Sequence, residues 1–479
     1  MANMFKDIDK VTMRDAIANI NIQSAGAPIS AVFDPHPSRR SDSHGPDNLR
    51  GFNVLVTKAS PNTFHDSNAE AHRDKCHPRT RLATQSVIKD WVMLKMYQDK
   101  PVMWLHGPAG AGKTAIGKSI AEWCMNPEQG GLIGEFFFLR LDRTRNHIQS
   151  LAATIAYRLA ADTLRAVKRT IAREVEEDPH IFSATLEKQI IRLILQPLEA
   201  ARLSSPAVPY VIIIDGLDEC NDHGEQRVVL QTVAALLTTF TCLKFLIISR
   251  PDPTIAITFR EPGLRAITEP LSLSDDPTSV ADIHRYIVEK FAEIKSIPPT
   301  GEWPSHDDIT LIVEKSSAQF ILAATVYRYV SSPKYLHKAA SRLRDVVNVL
   351  RNQPSNNKDH PLREVDALYA FILLGDDPKL TANFAGCCLI YPKYFNHVSP
   401  LDVQEVLQIG EEQTMEILNG FASIFKVTDR VIIPYHASLS DFLFNKSRSG
   451  NLLYCNEGDI SAKITCRCLR QLHSGLWII

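Results

Sequence analysis

Three short stretches carry residues able to do chemistry. The first is GPAGAGKT, Gly107 to Thr114, which fits G-x-x-x-x-G-K-[ST] at each defining position. It follows an apolar run, VMWLH, and opens a helical one, KTAIGKSIAEWCM. In that context Gly107, Pro108, Ala109, Gly110, Ala111, Gly112, Lys113, Thr114 and Ala115 are read as a phosphate cradle at a helix N-terminus, its donors the backbone N–H groups of all but Pro108. Lys113 would reach the β- and γ-phosphates, and the Thr114 hydroxyl would ligate Mg²⁺. The second stretch is YVIIIDGLDECND, Tyr210 to Asp222. A core strand ending in acids is costly unless the charge is compensated. Asp215, at the strand end, is expected to hold the same Mg²⁺, and Asp218 and Glu219 to orient or activate an attacking water. Acids after a strand also cap helices, which is the plainer reading of Asp218 and Glu219. The third is LKFLIISRP, whose strand-end Arg250 would sense a γ-phosphate, against the plainer reading of an exposed arginine before a Pro-containing turn.

Other groupings carry less. His65, His72, Cys76 and His77 match no zinc spacing. HASLSD (436–441) puts His, Ser and Asp side by side, but hydrolase triads are assembled from distant segments. A helix cap by Ser438 or Ser440 is the expectation there. Guanine-binding P-loop proteins use an N-K-x-D signature; FNKSRS (444–449) has Arg448 where the acid belongs. The base is therefore read as adenine, and the cofactors as ATP/ADP with Mg²⁺.

These motifs need a sheet to hold them. From Thr80 onward, helical spacing alternates with short apolar runs: PVMWLH, GEFFFLR, YVIIID, LKFLIISR and AITEPLSL read as strands. Such alternation implies α/β architecture, a parallel sheet with helices on both faces. After Asp275 the pattern turns helical, with a linker-like NQPSNNKDHP (352–361) before further helices, including EEQTMEILNGFASIFKV, and one strand, RVIIPYH. Residues 1–78 read as an N-terminal extension, partly disordered, with a Pro- and Ser-rich stretch at 34–48.

The totals exclude several classes. Lys and Arg number 53 against 54 acids, so net charge is −1 and no basic footprint for nucleic acid exists. No apolar run reaches the ~18 residues of a membrane span. The first residues carry charges where a signal peptide is apolar. The 9 cysteines follow no C-x-x-C spacing. Reduced thiols in a cytoplasmic protein are the expectation.

The P-loop, the DGLDE tract and the SRP strand end together resemble the NACHT domains of STAND-class signalling NTPases. The likeness is greatest to the nephrocystin-like N-terminal NACHT proteins of fungi. FHDSNAEAHRDKCHPRTR (64–81), QFILAAT (319–325) and VIIPYHASLSDFLF (431–444) resemble that family's pre-domain, helical-domain and winged-helix segments. The resemblance implies a NACHT P-loop core over 79–273, a helical domain over 274–352, a winged-helix domain over 361–447 and the start of a truncated helical or repeat region over 448–479. It implies a slow ATPase serving as a switch, closed with ADP, open and homo-oligomeric with ATP, in immunity- or death-type signalling with protein partners still to be identified. It assigns His436 to the ADP β-phosphate and places Thr80 and Arg81 near the adenine. Residues 1–78 show no clear effector domain of the kind the resemblance implies, and the repeat-type sensor it implies would begin at 448–479.

Moving a population from 1:99 to 99:1 takes about 5.5 kcal/mol of differential affinity. Charge-assisted hydrogen bonds contribute about 1.5–3 kcal/mol each. A γ-phosphate held by Lys113, Mg²⁺ and Arg250 thus suffices for a switch. A non-hydrolysing nucleotide-bound scaffold, or another P-loop ATPase or kinase, are the alternatives.

Overall fold

Five parallel strands hold the chemistry-bearing loops in the computed structural model: β1 (Val102–His106), β2 (Gly131–Phe137), β3 (Tyr210–Asp215), β4 (Leu243–Ser249) and β5 (Thr268–Ser272). Their order is β2-β3-β4-β1-β5. β1, β3 and β4 are apolar runs because both faces are covered, as parallel sheets require, whereas β5 is a partly exposed edge strand. Trp104, Ile212, Ile214, Phe245 and Ile247 face one hydrophobic cluster, and Met103, Leu105, Val211, Ile213, Leu246 and Ile248 the other. The structure describes residues 50–67, 70, 74–126, 131–162, 165–201, 209–274, 276–294, 303–353, 362–395, 397–427 and 431–473. The Pro- and Ser-rich stretch at 34–48, His72, most of the linker at 352–361 and the last residues lie outside these. The described residues from 50 to 464 belong to one compact unit, and the end of the Glu457–His473 helix falls outside it.

The sheet order is what brings the motifs together. β4 is inserted between β1 and β3, pairing His106 with Ser249 on one side and Asp215 with Ile248 on the other. The C-terminal ends of three strands are therefore level. The loop after His106, the acids from Asp215 onward and Arg250 emerge side by side.

Some elements differ from the sequence reading. Within the N-terminal extension, a helix, Arg50–Lys58, buries Leu55 and donates Gly51 N–H to Glu176 Oε1 at 2.8 Å. That acceptor lies on a helix not anticipated, Arg165–Glu177, whose polar composition masks an apolar stripe of Val167, Ile171 and Val175. The run expected as one helix from Glu411 through Val427 stops at Gly420, and Phe425–Val427 becomes a strand, β6. It pairs antiparallel with β7 (Ile432–Pro434), a partnership invisible to local spacing. Helices Ser279–Ala292, His306–Lys315, Phe320–Val330 and Ala339–Arg351 follow the sheet. Helices Arg363–Leu373, Pro378–Ile390, Pro400–Leu407 and Glu411–Gly420 then precede the hairpin. These two groups share one hydrophobic cluster, Ile283 to Ile464, which also takes in Leu141 from beside the sheet.

No helix among the described residues is long and apolar enough to cross a membrane.

Candidate functional site

The loop before the Lys113–Cys124 helix is shaped by glycines at two positions. Gly110 has φ +78° and Gly112 φ +89°, conformations that cost an L-residue about 1–2 kcal/mol. A Cβ on Gly110 would also lie 2.3 Å from Ile321 Cγ2, so the loop is pressed against the next module. Lys113 Nζ folds back under the loop and donates to the carbonyls of Gly107 and Pro108, each at 2.9 Å. Burial lowers its pKa from the ordinary value, opposed by Asp218. The Thr114 hydroxyl donates to Asp215 Oδ2 at 2.8 Å. Asp215 is 1% exposed. Two hard oxygen ligands next to a cradle of loop amides are a donor set that suits Mg²⁺ carrying phosphate oxygens.

Across the strand ends, Asp218 is engaged by Arg250. The Arg250 backbone N–H donates to Asp218 Oδ1 at 2.9 Å and its Nε to Oδ2 at 2.6 Å. Burial pushes the Asp218 carboxyl up, but Arg250 and Lys113 outweigh it and leave the group below its usual range. Burial likewise works against the charge on Arg250, and Asp218 and Asp441 reverse that. Glu219 Oε2 accepts from the Arg140 N–H at 3.2 Å. Of the two acids expected at the water, Asp218 is thus committed to positioning Arg250.

Three residues that sequence reasoning missed complete this cluster. Arg250 NH1 donates to Asp441 Oδ2 at 3.0 Å, and Arg140 NH1 to Asp441 Oδ1 at 3.3 Å. Arg140 NH2 also reaches the Asp218 carbonyl at 3.2 Å. Asp441 had been weighed only as part of a triad-like string, and Arg140 carried no motif. The third, Arg328, lines the same cleft from the Phe320–Val330 helix.

The cleft also takes in Ala109, Gly110, Gly112, Ala115, Glu219 and His436. The Ser438 N–H donates to His436 Nδ1 at 3.0 Å, which leaves the ring proton of a neutral His436 on Nε2. The expected serine cap is absent: the Ser438–Leu443 helix has no side-chain cap, and the Ser438 hydroxyl sits 2.8 Å from His436 Nδ1 instead. Asp441 faces the arginines, so His, Ser and Asp form no relay.

Thr80 and Arg81 sit behind the loop and do not line the cleft. Thr80 Oγ1 donates to the His77 carbonyl at 2.7 Å. Arg81, 1% exposed, donates through NH2 to the Ala111 carbonyl at 2.9 Å and through NH1 to Asp276 Oδ2 and Ser279 Oγ, both at 2.6 Å. It braces the phosphate loop against the helical module. His65 Nδ1 is 2.8 Å from each Glu135 oxygen, while His77 packs on Tyr286 and Cys76 N–H donates to Ser119 Oγ. His65, Asp66 and Glu135 are close enough to hold an ion. Glu135, however, is already matched by the histidine, and Asp66 lies 3.4 Å from Arg158.

A five-stranded parallel sheet with this loop at its C-terminal edge defines a P-loop NTPase. Residues 79–250 match the family described as Nephrocystin 3, N-terminal. Two solved structures are similar to the chain. One is the Walker-type ATPase PABY2304 of Pyrococcus abyssi, at 14% identity over 77% of this chain and 97% of that one, with a TM-score of 0.37. The other is Cdc6p from Pyrobaculum aerophilum, at 12% identity over 81% of this chain and 96% of that one, with a TM-score of 0.37. No curated protein matches the chain.

Proposed function

We propose that this chain is an ATP- and ADP-binding switch of the NACHT/STAND type, hydrolysing ATP slowly, with a closed ADP form and an open, self-associating ATP form. One observation carries the reading: the Arg250 that lies beside the phosphate loop is bound at once by Asp218 of the NTPase sheet and by Asp441 of the C-terminal segment. A motif arginine tied to a distant module gives a γ-phosphate something to compete for, which a simple ATPase or kinase has no need of. The β6–β7 hairpin and its flanking helices support reading 361–447 as a winged helix, with 274–352 as the helical domain before it.

In this reading Thr114 and Asp215 hold Mg²⁺, which when bound neutralises charge on the phosphates. Lys113 exchanges the loop carbonyls for β- and γ-phosphate oxygens. Glu219 orients the attacking water and His436 meets the β-phosphate through Nε2. Cytoplasmic location, self-association and a part in immunity- or death-type signalling rest on the family resemblance.

The test is to release and identify nucleotide from the purified full chain by mass spectrometry. Retained ADP supports a resting switch; an empty site with fast ATP turnover overturns it, and bound GTP overturns the base assignment. Lys113→Ala is expected to weaken ADP and ATP at least 100-fold by calorimetry, which is about 2.7 kcal/mol, with the circular dichroism spectrum unchanged. Wild-type affinity in that variant would refute the site.

A further inference from the structure

The cleft continues past the phosphate loop, and its far wall is built from residues that no motif covers. The Phe320–Val330 helix begins against the loop: Ile321 N–H donates to the Gly110 carbonyl at 3.3 Å, and a Cβ on Gly112 would lie 3.9 Å from the Phe320 ring. Phe320, Ile321, Ala324 and Arg328 then share one face of this helix and all line the cleft. Arg328 is eight residues beyond Phe320, so at about 1.5 Å per residue it stands about 12 Å further along the axis. Asp74, from the pre-domain segment, and Tyr435, from the hairpin end, line the cleft with it.

Arg328 is held ready. Its Nε donates to the Ser423 carbonyl at 3.2 Å, and its guanidinium carbon lies 4.2 Å over the Tyr435 ring. Stacking plus one anchored nitrogen fixes the plane of the fork. Among the described residues, neither terminal nitrogen of Arg328 nor the carboxylate of Asp74 has a hydrogen-bond or ion-pair partner. Both charges act on the same rings: burial raises the Tyr435 and Tyr286 hydroxyls, with Arg328 opposing and Asp74 adding to the rise. A second phosphate subsite does not fit here, because Asp74 would repel it. An apolar slot with one acceptor and one planar donor fits a nitrogen heterocycle.

We propose that Asp74 and Arg328 form the nucleoside-reading end of the cleft. The Asp74 carboxylate accepts from the exocyclic amine of a purine, Arg328 donates to a ring nitrogen, and Phe320, Ile321 and Ala324 supply the apolar wall. The proposal rests on the nucleotide reading above. It assigns base selection to a pre-domain residue and a helical-module residue, neither of which belongs to the phosphate-binding motifs. A site built to hydrogen-bond a polar group discriminates strongly against an analogue lacking it. Adenine carries the exocyclic amine and hypoxanthine does not.

The experiment titrates ADP, IDP and pyrophosphate, each with Mg²⁺, into the full chain and into Asp74→Ala, Arg328→Met and Arg328→Lys, with circular dichroism confirming the fold. Asp74 is exposed, so its truncation leaves packing intact. The wild type is expected to bind ADP at least tenfold more tightly than IDP. Asp74→Ala brings the two within twofold, Arg328→Met weakens ADP about tenfold with Arg328→Lys in between, and pyrophosphate affinity is unchanged in all three. A wild type blind to the amine, variants that keep the wild-type ADP-to-IDP ratio, or variants that lose pyrophosphate and ADP equally each overturn the proposal. A wild type that binds neither pyrophosphate nor ADP instead overturns the nucleotide reading beneath it.

Discussion

Asp215, Asp218 and Glu219 lie within one turn of chain, yet each meets a different partner: a threonine hydroxyl, an arginine from the adjacent strand and the backbone of Arg140. In the function proposed above, that division leaves Glu219 as the acid that orients the attacking water. Glu219→Gln is expected to slow single-turnover ATP hydrolysis by 100-fold or more while ADP affinity stays within threefold; undiminished turnover would remove Glu219 from the water. Lys244 supplies a test away from the site. It is 3% exposed, its ammonium lies 4.5 Å over the Trp91 ring, and it has no hydrogen-bond acceptor among the described residues. Burial lowers its pKa to about 8, against about 10.4 in an unfolded chain. Between those values the unfolded chain binds the extra proton, so stability rises with pH across that window, and below it the buried charge opposes folding in full. Lys244→Met is therefore expected to raise the thermal midpoint at pH 7, with the gain narrowing as pH climbs from 8 to 10. A constant gain would show that the amine does not titrate there. Lys113, Thr114 and Asp215 were legible in the sequence because their roles depend on local order, a loop and a strand end. Arg140 and Asp441 were not, because their meaning lies in a contact 301 residues apart.

At the scale of elements, Phe64, His65, Glu70, Thr80 and Arg81 anchor the pre-domain segment to the NTPase domain as a strap. Glu70, 0% exposed, takes Arg145 NH1 at 2.5 Å and Lys118 Nζ at 3.4 Å, and Lys118 belongs to the helix that the phosphate loop opens. Removing one member of a buried ion network leaves charge uncompensated, at a cost of about 3–5 kcal/mol. Glu70→Ala should lose about that much in urea unfolding, and a loss under 1 kcal/mol would mean the strap is not coupled to the core. The central strands β1, β3 and β4 could be read from apolar runs because both sheet faces are buried there. The Arg165–Glu177 helix could not, since its narrow stripe is diluted by charge. β6 was hidden because three residues following a helix carry no period of their own, and only pairing with β7 makes them a strand.

At the largest scale, the NTPase sheet and the post-sheet helices belong to one compact unit and meet through polar contacts and through apolar ones at Leu141 and Ile321. The helical groups after the sheet share one hydrophobic cluster and behave as a single mass. They meet the NTPase domain through Asp441 with Arg140 and Arg250, the Arg143 side chain on the Tyr394 carbonyl at 2.9 Å, and Ile321 on Gly110. Asp441→Ala removes two of these contacts without touching the loop. It is expected to enlarge the radius of gyration in small-angle scattering of the ADP form, toward that of the wild type with ATP; an unchanged radius would mean the seam is held elsewhere. This long-range arrangement was outside the reach of local pattern: nothing in the spacing of the post-sheet residues marks Asp441 as the partner of Arg140 and Arg250. The contact between Gly110 and Ile321 then takes on mechanical weight. It lies where the rigid mass touches the phosphate loop, so it is suited to be a fulcrum: a sub-ångström adjustment of the loop around a γ-phosphate would swing the remote hairpin end through a far larger arc.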